Sequence, residues 1–430
     1  MKVCIIGAGV VGSYLAKKLS RENHEIAIID VDSAKVEQLS YSYDILGLPC
    51  NALDVNCLKK VEDFDLFIVV TENEEKNVAI AVLLKAVFNK ENVILRVSNK
   101  AFSSPPVRDF LKVDTVNVFS EITQTVLSIV KYPFALSTVK LENEELIIFK
   151  YLVKVEDSLA GKQIQELGET RNKVDFTIVA IEREGKIIIP RGESFIYPDD
   201  KIYVAVNEGK IKSLVEELGI NYSPIKSVFV LGYSKLTEEL LSKLSQFKEV
   251  NLKFISPQKE ICDLVSGLFP SITVFHGELT DVELLKSENI QNSDLVISLT
   301  DDEEANILSC ILAKNLGAKK ACALVFHPEY EVLVESIGID APIVPRKLLA
   351  SKVYKKLSKK GVLDIAEISE DIDIVEVEVD SSLSGRKISE AKLKSCRLII
   401  AVKKGEKLFI AKGDTVLEKG DKLICIGKKG

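Results

Sequence analysis

Short apolar runs alternate with segments of helical periodicity over about the first 130 residues. Runs that are apolar throughout are typical of parallel strands covered by helices on both faces. The pattern therefore predicts βαβ units and an α/β domain. The predicted strands include VCIIG (3–7), EIAIID (25–30), DLFIVVT (65–71) and NVILRV (92–97), and the predicted helices include VGSYLAKKLS (11–20) and EKNVAIAVLLKAVF (75–88).

The next stretch of about 70 residues has a different pattern. Short alternating runs are broken by Gly, Pro and Asp, which predicts short strands joined by turns. The segment KIIIPRGESFIYPDDKIYVAV (186–206) predicts a hairpin. We therefore expect a small, β-rich α+β domain after the parallel sheet.

The whole plan occurs twice, with a period of about 225 residues. KVCIIGAGVVGSYLAKKLS (2–20) matches SVFVLGYSKLTEELLSKLS (227–245), TENEEKN (71–77) matches TDDEEAN (300–306), and SLAGKQIQEL (158–167) matches SLSGRKISEA (382–391). We predict duplicated domains with these boundaries: a nucleotide-binding parallel-sheet domain over 1–132, a small domain over 133–208, a linker over 209–224, a second parallel-sheet domain over 225–360 and a second small domain over 361–430.

A glycine motif directly follows the first predicted strand and opens a helix. Gly7, Gly9 and Gly12 have the GxGxxG spacing of a Rossmann-like dinucleotide loop. The first glycine permits the tight turn, the second the approach of a pyrophosphate, and the third close packing of helix and strand. The helix N-terminus offers free N–H groups to phosphates. The predicted loop contacts are Gly7, Ala8, Gly9, Val10, Val11 and Gly12.

The second predicted strand ends at Asp30, 18 residues beyond Gly12. A carboxylate there accepts hydrogen bonds from the two hydroxyls of an adenosine ribose and repels a 2′-phosphate. The position favours an NAD-type or adenine mononucleotide ligand over NADP. Asp32 is expected to be solvated.

Other candidates follow the later strands. Thr71 and Glu72 lie at the predicted carboxyl edge of the sheet, where ligands of open α/β sheets bind. Arg96 either reaches a phosphate or pairs with Glu72. Asn51 and Asn77 hydrogen-bond either adenine or neighbouring backbone.

The second copy lacks most of this motif. Ser234 aligns with Gly9, Thr237 with Gly12, Ser256 with Asp30, and Leu324 with Arg96, whereas Gly232 aligns with Gly7. We expect this half to bind dinucleotide weakly or not at all and to serve as a scaffold.

Composition and charge argue against nucleic-acid binding and against a membrane-spanning protein. The net charge of −7 does not favour a nucleic-acid partner, and no apolar run approaches the roughly 20 residues of a membrane span. The strand from Val3 leaves no room for a signal peptide, so we expect a cytoplasmic protein. The eight cysteines, none in a CxxC pair, are expected to be buried and reduced. We predict no metal site.

The chain has three histidines and no HExxH, GxSxG or Walker A motif, so no catalytic residue is predicted. A nucleotide loop without adjacent acid–base chemistry indicates a sensor rather than an enzyme. Two alternatives stay open. One is an NAD-dependent oxidoreductase with an unrecognised substrate domain. The other is a scaffold for another cation transporter or channel, in which the nucleotide is only structural.

Over essentially its whole length the chain resembles the TrkA family, on the motifs IIGAGVVGSYLA, IIDVD, TENEEKN/TDDEEAN and SLAGKQIQEL/SLSGRKISEA. These are regulatory subunits of bacterial Trk-type potassium uptake systems, built from tandem RCK (KTN) modules. The resemblance implies that Gly7, Gly9, Gly12, Asp30, Thr71 and Arg96 contact NAD(H) or ATP/ADP. Asn51 departs from the family, which usually has an acidic residue there.

The resemblance also implies a peripheral protein on the inner face of the membrane, a homotetrameric ring, and a membrane-embedded potassium-translocating partner of the TrkH or TrkG kind. RCK modules pair through a helix after the last strand. Residues 120–131 and 346–358 are the candidates, and the alternative is that each helix packs on its own sheet.

Overall fold

The protein is described by a computed structural model covering residues 1–21, 24–140, 145–327, 329–358, 364–369, 372–391, 393, 396–405 and 407–428. The predicted boundary at 360/361 lies outside the described residues. Two compact units are distinguished: Met1–Leu127 with Ile225–Tyr354, and Ser128–Pro224 with Lys355–Gly430. The two parallel-sheet regions thus fall in one unit and the two small regions in the other.

The first region is a six-stranded parallel sheet with helices between its strands. Its strand order, β3-β2-β1-β4-β5-β6, places a topological switch point at β1, between β2 and β4. The central strands β1 and β4 are buried almost throughout, as a sheet covered on both faces requires. In chain order the elements are β1 (Lys2–Ile6), α1 (Val10–Leu19), β2 (Glu25–Asp30), α2 (Ser33–Ser42), β3 (Ile45–Pro49), α3 (Val55–Lys59), β4 (Leu66–Val69), α4 (Glu74–Ala86), β5 (Asn92–Val97), α5 (Lys100–Ser103), α6 (Pro105–Leu111), β6 (Asp114–Asn117) and α7 (Val118–Lys131).

A five-stranded antiparallel sheet follows, in the order β10-β9-β11-β8-β7. Its elements are β7 (Ser137–Lys140), β8 (Leu146–Leu152), α8 (Gly168–Lys173), β9 (Phe176–Arg183), β10 (Lys186–Ile188), β11 (Lys201–Asn207) and α9 (Ile211–Glu217). Ile211, Leu214 and Val215 of α9, within the predicted linker, belong to the core of this small region.

The hairpin prediction over 186–206 is wrong, because β10 and β11 pair with opposite edges of β9 and not with each other. The hairpin is β9–β10. Its turn residues Glu184 and Gly185 both have positive φ, 51° and 74°, which is the backbone that a two-residue hairpin loop needs.

The second parallel-sheet region repeats the first, in the order β14-β13-β12-β15-β16-β17. Its elements are α10 to α15 and β12 to β17: β12 (Ser227–Leu231), α10 (Thr237–Leu244), β13 (Asn251–Ser256), α11 (Lys259–Leu268), β14 (Thr273–His276), α12 (Val282–Ser287), β15 (Leu295–Ser298), α13 (Glu303–Leu316), β16 (Ala321–Leu324), α14 (Glu329–Ser336), β17 (Ala341–Ile343) and α15 (Pro345–Ser358). The fold class predicted from the repeat, a duplicated Rossmann-like sheet, is confirmed.

The last sheet is antiparallel, in the order β18-β19-β22-β20-β21, which is the topology of the first small sheet. Its strands are β18 (Asp364–Ser369), β19 (Ile372–Glu378), β20 (Leu398–Lys404), β21 (Lys407–Ile410) and β22 (Lys422–Lys428). One apolar cluster contains residues of both small sheets, among them Ile148 and Ala205 of the first and Ile400 and Ile424 of the second. The two small regions therefore share a core.

The helices after the last parallel strands match the predicted segments 120–131 and 346–358. In the first unit an ion pair of 3.2 Å joins Glu121 of α7 to Lys352 of α15. Ile122 and Val126 of α7 are buried. Among the described residues, no helix is both long and apolar enough to cross a bilayer.

The cysteine prediction is wrong for half of the residues. Cys50–Cys57 and Cys396–Cys425 are disulfides, whereas Cys4, Cys262, Cys310 and Cys322 are free and buried as expected. The absence of a CxxC pair does not exclude a disulfide, because the fold brings together cysteines that are 7 and 29 residues apart in sequence.

Candidate nucleotide site

The glycine loop is tightly packed at two of its three glycines. Gly7 has φ +112°, and a Cβ there would lie 2.9 Å from the Thr71 nitrogen. A Cβ on Gly12 would lie 1.8 Å from the Gly7 carbonyl oxygen. At Gly9 a Cβ would meet no atom within 4 Å. The first and third glycines thus serve the fold, and the second leaves open space in front of the helix.

Helix α1 begins at Val10, with Gly9 as its N-cap in an extended conformation. The N–H groups of the first turn have no intrahelical acceptor and carry the positive end of the helix dipole. Gly9, Val10 and Val11 line a cavity at this end. Such an arrangement is suited to an anionic group such as a phosphate.

Asp30 at the end of β2 is held by the backbone of the loop. Its Oδ2 accepts a hydrogen bond of 2.6 Å from the Ala8 N–H, and its Oδ1 accepts one of 3.0 Å from the Asp32 N–H. Two bonds leave lone pairs on both oxygens for further donors, such as ribose hydroxyls. Asp32 is not simply solvated, because its side chain caps α2 by accepting from the Lys35 N–H.

Asn77 is fully buried and ties two strand ends together. Its Oδ1 accepts from the Thr71 hydroxyl at 2.5 Å and from the Thr71 N–H at 3.2 Å, while its Nδ2 donates to the carbonyls of Thr71 (3.1 Å) and Arg96 (3.2 Å). Of the two interpretations left open, Asn77 therefore follows the structural one. Glu74 adds a second tie by accepting from the N–H groups of Ser98 and Asn99.

Arg96, the second-last residue of β5, is a largely desolvated cation. Within the described part of the chain its guanidinium donates only to the Thr71 carbonyl, at 3.4 Å, and makes no ion pair with Glu72. Burial lowers the pKa of Arg96, the charges of Glu72 and Glu74 raise it, and the charge of Arg346 lowers it further. Charges of both signs thus act on Arg96.

These groups surround one cavity of about 580 Å³, which is within the usual size range of small-molecule sites. Nine of the eleven predicted site residues line it: Gly7, Gly9, Val10, Val11, Asp30, Asn51, Thr71, Glu72 and Arg96. Ala8 and Gly12 do not line it; the Ala8 N–H donates to Asp30, and Gly12 packs closely against the Gly7 carbonyl. Asn51 lines the cavity and also accepts a hydrogen bond of 3.0 Å from the Leu53 N–H.

The cavity has a second wall that the sequence analysis missed. It is formed by the second copy, through Ser234, Lys235, Leu236, Asp301, Leu324, Phe326, Pro345 and Arg346. Lys35 and Lys76 of the first copy were also missed. No motif marks these side chains, because their place in the site depends on how the two sheets pack. The second copy, which we expected to serve as a scaffold, thus also lines the cavity of the first copy.

The equivalent loop of the second copy has a different local structure. Helix α10 begins at Thr237, whereas the residue aligned with Val10 is Lys235. The Thr237 hydroxyl accepts a hydrogen bond of 2.9 Å from the Ser234 N–H. The Oγ of Ser256, at the position of Asp30, accepts from the Gln258 N–H at 3.2 Å. The Ser234 N–H and the Ser256 Oγ are therefore engaged within the protein.

Among the described residues, no group of three or more His, Cys, Asp or Glu side chains is arranged to hold a metal ion. His276 contacts the Pro257 carbonyl at 3.1 Å and His327 contacts Glu303 at 2.5 Å, and neither belongs to the described lining of the cavity. The ionisable side chains of that lining are Asp30, Lys35, Glu72, Lys76, Arg96, Lys235, Asp301 and Arg346. The lining thus has five cationic and three anionic side chains, which favours an anionic ligand.

Comparison with protein families gives two matches, each occurring twice. The TrkA-N domain matches residues 3–116 and 228–345, and the TrkA-C domain matches residues 148–219 and 374–430. Together these ranges follow the duplication seen in the sequence and in the sheets.

Two relatives are similar over nearly their whole length. The chain is 30% identical to the Trk system potassium uptake protein TrkA homolog of Archaeoglobus fulgidus, covering 100% of this chain and 97% of that protein. It is 28% identical to the Trk system potassium uptake protein TrkA of Vibrio alginolyticus, covering 99% of this chain and 95% of that protein.

Among solved structures, the GsuK channel bound to NAD is similar in fold, with a TM-score of 0.64 at 18% identity. The match covers 100% of this chain and 77% of that one.

Proposed function

The chain belongs to the TrkA family, and we propose that it is the cytoplasmic, nucleotide-binding regulatory subunit of a Trk-type potassium uptake system. The cavity at the end of β1 carries this proposal. It combines an open helix N-terminus, a carboxylate on a fixed backbone and a desolvated arginine, and these groups match the phosphates and ribose of an adenine nucleotide.

The proposed ligand is NAD(H) or ATP/ADP. Asp30 would accept hydrogen bonds from the ribose hydroxyls and disfavour a 2′-phosphate. Arg96 and the first turn of α1 would contact phosphate, with Lys76, Lys235 and Arg346 adding positive charge around it. Support for this ligand class also comes from the GsuK channel bound to NAD, whose fold is similar.

The two-walled cavity supports a regulatory mechanism. Suppose that the two copies can adopt two relative arrangements. A ligand that contacts both copies then shifts the equilibrium between these arrangements by the difference in its binding free energy for them. Ligands with different phosphate charge would interact differently with Arg96 and Arg346. In this mechanism occupancy changes conformation, and no product is formed.

The proposed partner is a membrane-embedded potassium-translocating subunit, which the protein would contact from the cytoplasmic face of the membrane. We propose a homotetramer in which helices α7 and α15 contribute to module pairing. The ion pair between Glu121 and Lys352 supports pairing of these helices across the two copies of one chain.

Calorimetry of the full-length protein with NADH, NAD, ATP, ADP and adenosine tests the nucleotide step. We expect saturable binding of at least one phosphate-bearing ligand. A second assay measures potassium uptake by cells that carry the Asp30→Ala variant, which should remain folded but lose nucleotide-responsive uptake. Normal responsive uptake in that variant would contradict the proposal.

An NAD-dependent oxidoreductase is separated from this function by a simple assay. The protein is incubated with NADH and a panel of carbonyl compounds while absorbance at the nicotinamide band is followed. The regulatory proposal predicts no enzyme-dependent oxidation of NADH, and turnover in this assay would favour the oxidoreductase.

A further inference from the structure

The disulfide between Cys50 and Cys57 lies at the wall of the nucleotide cavity. Cys50 directly follows β3 and is partly exposed, whereas Cys57 lies on α3 with 2% of its surface exposed. The loop that this bond closes begins with Cys50, Asn51, Ala52 and Leu53, and all four residues line the cavity. A covalent bond thus fixes the ends of a segment that forms part of the site.

Hydrogen bonds within the loop between Cys50 and Cys57 connect the cavity-lining residues to Cys57. The Leu53 N–H donates to the Asn51 Oδ1 at 3.0 Å, and the Asp54 N–H donates to the Asn51 carbonyl at 2.9 Å. The Cys57 N–H donates to the Asp54 carbonyl at 3.0 Å. Asn51 is therefore connected to Cys57 through Asp54, in addition to the covalent bond through Cys50.

The other cysteines are placed differently. Cys4 and Cys310 are fully buried, and burial raises the pKa of the Cys310 thiol to about 12, so that it carries almost no reactive thiolate. The second disulfide, Cys396–Cys425, joins residues of the second small region, where Cys425 is fully buried in β22. Neither Cys396 nor Cys425 lines the nucleotide cavity.

We propose that Cys50 and Cys57 are a redox-modification site that sets the nucleotide affinity of the adjacent cavity. The inference rests on the proposed function insofar as the cavity binds a nucleotide. In compartments that keep thiols reduced, a partly exposed disulfide is typically one that cycles with a redox couple.

The oxidant is a low-molecular-weight disulfide such as glutathione disulfide. The Cys50 thiolate attacks one of its sulfurs, forming a mixed disulfide and releasing one glutathione thiolate. The Cys57 thiolate then attacks the Cys50 sulfur and releases the second. Two protein thiols lose two electrons and two protons, and one glutathione disulfide becomes two glutathiones. A dithiol reductant reverses the exchange.

The direction of the effect follows from preorganisation. With the bond closed, Asn51 and its neighbours are held in the position seen here before any ligand binds. With the bond open, the loop samples other conformations and binding must order it. Reduction is therefore expected to weaken ADP or NADH binding roughly threefold to tenfold.

The test uses the full-length protein in glutathione buffers of defined ratio. Thiols are trapped with maleimide and located by peptide mass spectrometry, and the affinities for ADP and NADH are measured by calorimetry in the oxidised and reduced states. Linkage adds a reciprocal prediction: a saturating nucleotide should shift the Cys50–Cys57 exchange equilibrium toward the disulfide by the same factor.

Cys50→Ser and Cys57→Ser should each abolish the redox dependence of binding, with thermal unfolding used to check that the variants fold. Cys396→Ser removes the other disulfide and should keep the dependence. Equal affinity in both redox states, or no oxidation of Cys50 and Cys57 by glutathione disulfide, would overturn this inference alone. Absence of nucleotide binding in both states would overturn the proposed function as well.

Discussion

The two glycine loops of this chain follow the same strand in the same sheet topology, yet they are packed differently at the position of the second glycine. Gly9 faces space in which a Cβ meets nothing within 4 Å, whereas the aligned Ser234 is 4% exposed and its N–H is engaged by Thr237. Helix α1 begins at Val10, the third residue after Gly7, whereas α10 begins at Thr237, the fifth residue after Gly232. The two loops thus differ in where the helix begins.

Other parts of the two copies have stayed alike. Asn306 repeats the role of Asn77, with its Oδ1 accepting from the Thr300 N–H and hydroxyl and its Nδ2 donating to the carbonyls of Thr300 and Leu324. Glu303 accepts from the N–H groups of Phe326 and His327 as Glu74 does from Ser98 and Asn99. The repeated TENEEKN and TDDEEAN motifs therefore serve the sheet edge, which both copies need, and not only a ligand.

Placing the second copy's threonine in the first loop should have the largest effect. In Gly12→Thr the new Cβ would lie 1.8 Å from the Gly7 carbonyl oxygen, so the loop must shift. We expect a loss of about 3 kcal/mol in the free energy of unfolding and no nucleotide binding. Urea unfolding and calorimetry measure the two effects.

Gly9→Ser is the matched control for that variant, since its side chain enters open space and serine is a favourable N-cap. It should change stability by less than about 1 kcal/mol while weakening nucleotide binding about tenfold or more. A stable Gly12→Thr protein that still binds nucleotide would refute the assigned roles of the two glycines.

The shared asparagines should respond equally in stability and unequally in binding. Asn77→Ala and Asn306→Ala each leave several buried backbone groups unpaired, and each should lower the free energy of unfolding by about 2–3 kcal/mol. Only Asn77→Ala should also weaken nucleotide binding, because Asn77 positions Thr71 and Arg96. Equal effects of the two variants on calorimetric affinity would remove the distinction between the copies.

Asp30→Ser introduces the residue of the second copy at the ribose position. Loss of the carboxylate removes both the proposed ribose contact and the acceptor of the Ala8 N–H. We expect roughly a 30-fold weaker affinity for ADP, equivalent to about 2 kcal/mol. Ser256→Ala in the second copy is the control, and calorimetry should show unchanged binding for it.

Arg96→Leu completes the set, since leucine is the aligned residue of the second copy. Removing this cation should weaken ADP binding about tenfold, through loss of a charge-assisted contact to phosphate. Adenosine, which has no phosphate, is the internal control and should bind this variant and the parent protein alike. An equal loss for both ligands would place Arg96 away from the phosphates.

The smallest effect is expected in the first small region, at Glu208. Hydrogen bonds from Lys131 and Lys140 lower the pKa of this carboxyl to about 2, and the aligned residue of the second copy is Lys429, outside the described residues. A depressed pKa stabilises the folded state above about pH 5, and this stabilisation is lost as pH falls toward 2.

Glu208→Gln should therefore lower the free energy of unfolding by about 1 kcal/mol at pH 7, a value that allows for solvent screening. The difference from the parent protein should shrink at pH 3, as followed by urea unfolding at both pH values. A difference that does not depend on pH would assign the effect to packing instead of charge.

Much of the architecture follows from local sequence. Apolar runs of four to six residues separated by helical segments determine a parallel sheet, because such strands are buried on both faces. The glycine spacing and Asp30 determine where the first loop turns and which strand end carries a carboxylate, since both depend on backbone geometry within about 30 residues. The duplication is visible in the sequence because both copies need the same residues to form the edge of the sheet.

The second wall of the cavity and the pairing of the cysteines depend on the tertiary structure and could not be predicted from local sequence. Lys235 and Arg346 belong to the site of the first copy because two sheets pack together, and nothing near them in sequence encodes that neighbour. The Cys50–Cys57 and Cys396–Cys425 pairs likewise depend on strand and helix positions and not on spacing. Interactions between residues distant in sequence depend on the packing of whole elements, so a motif can locate a loop but not the surface that closes over it.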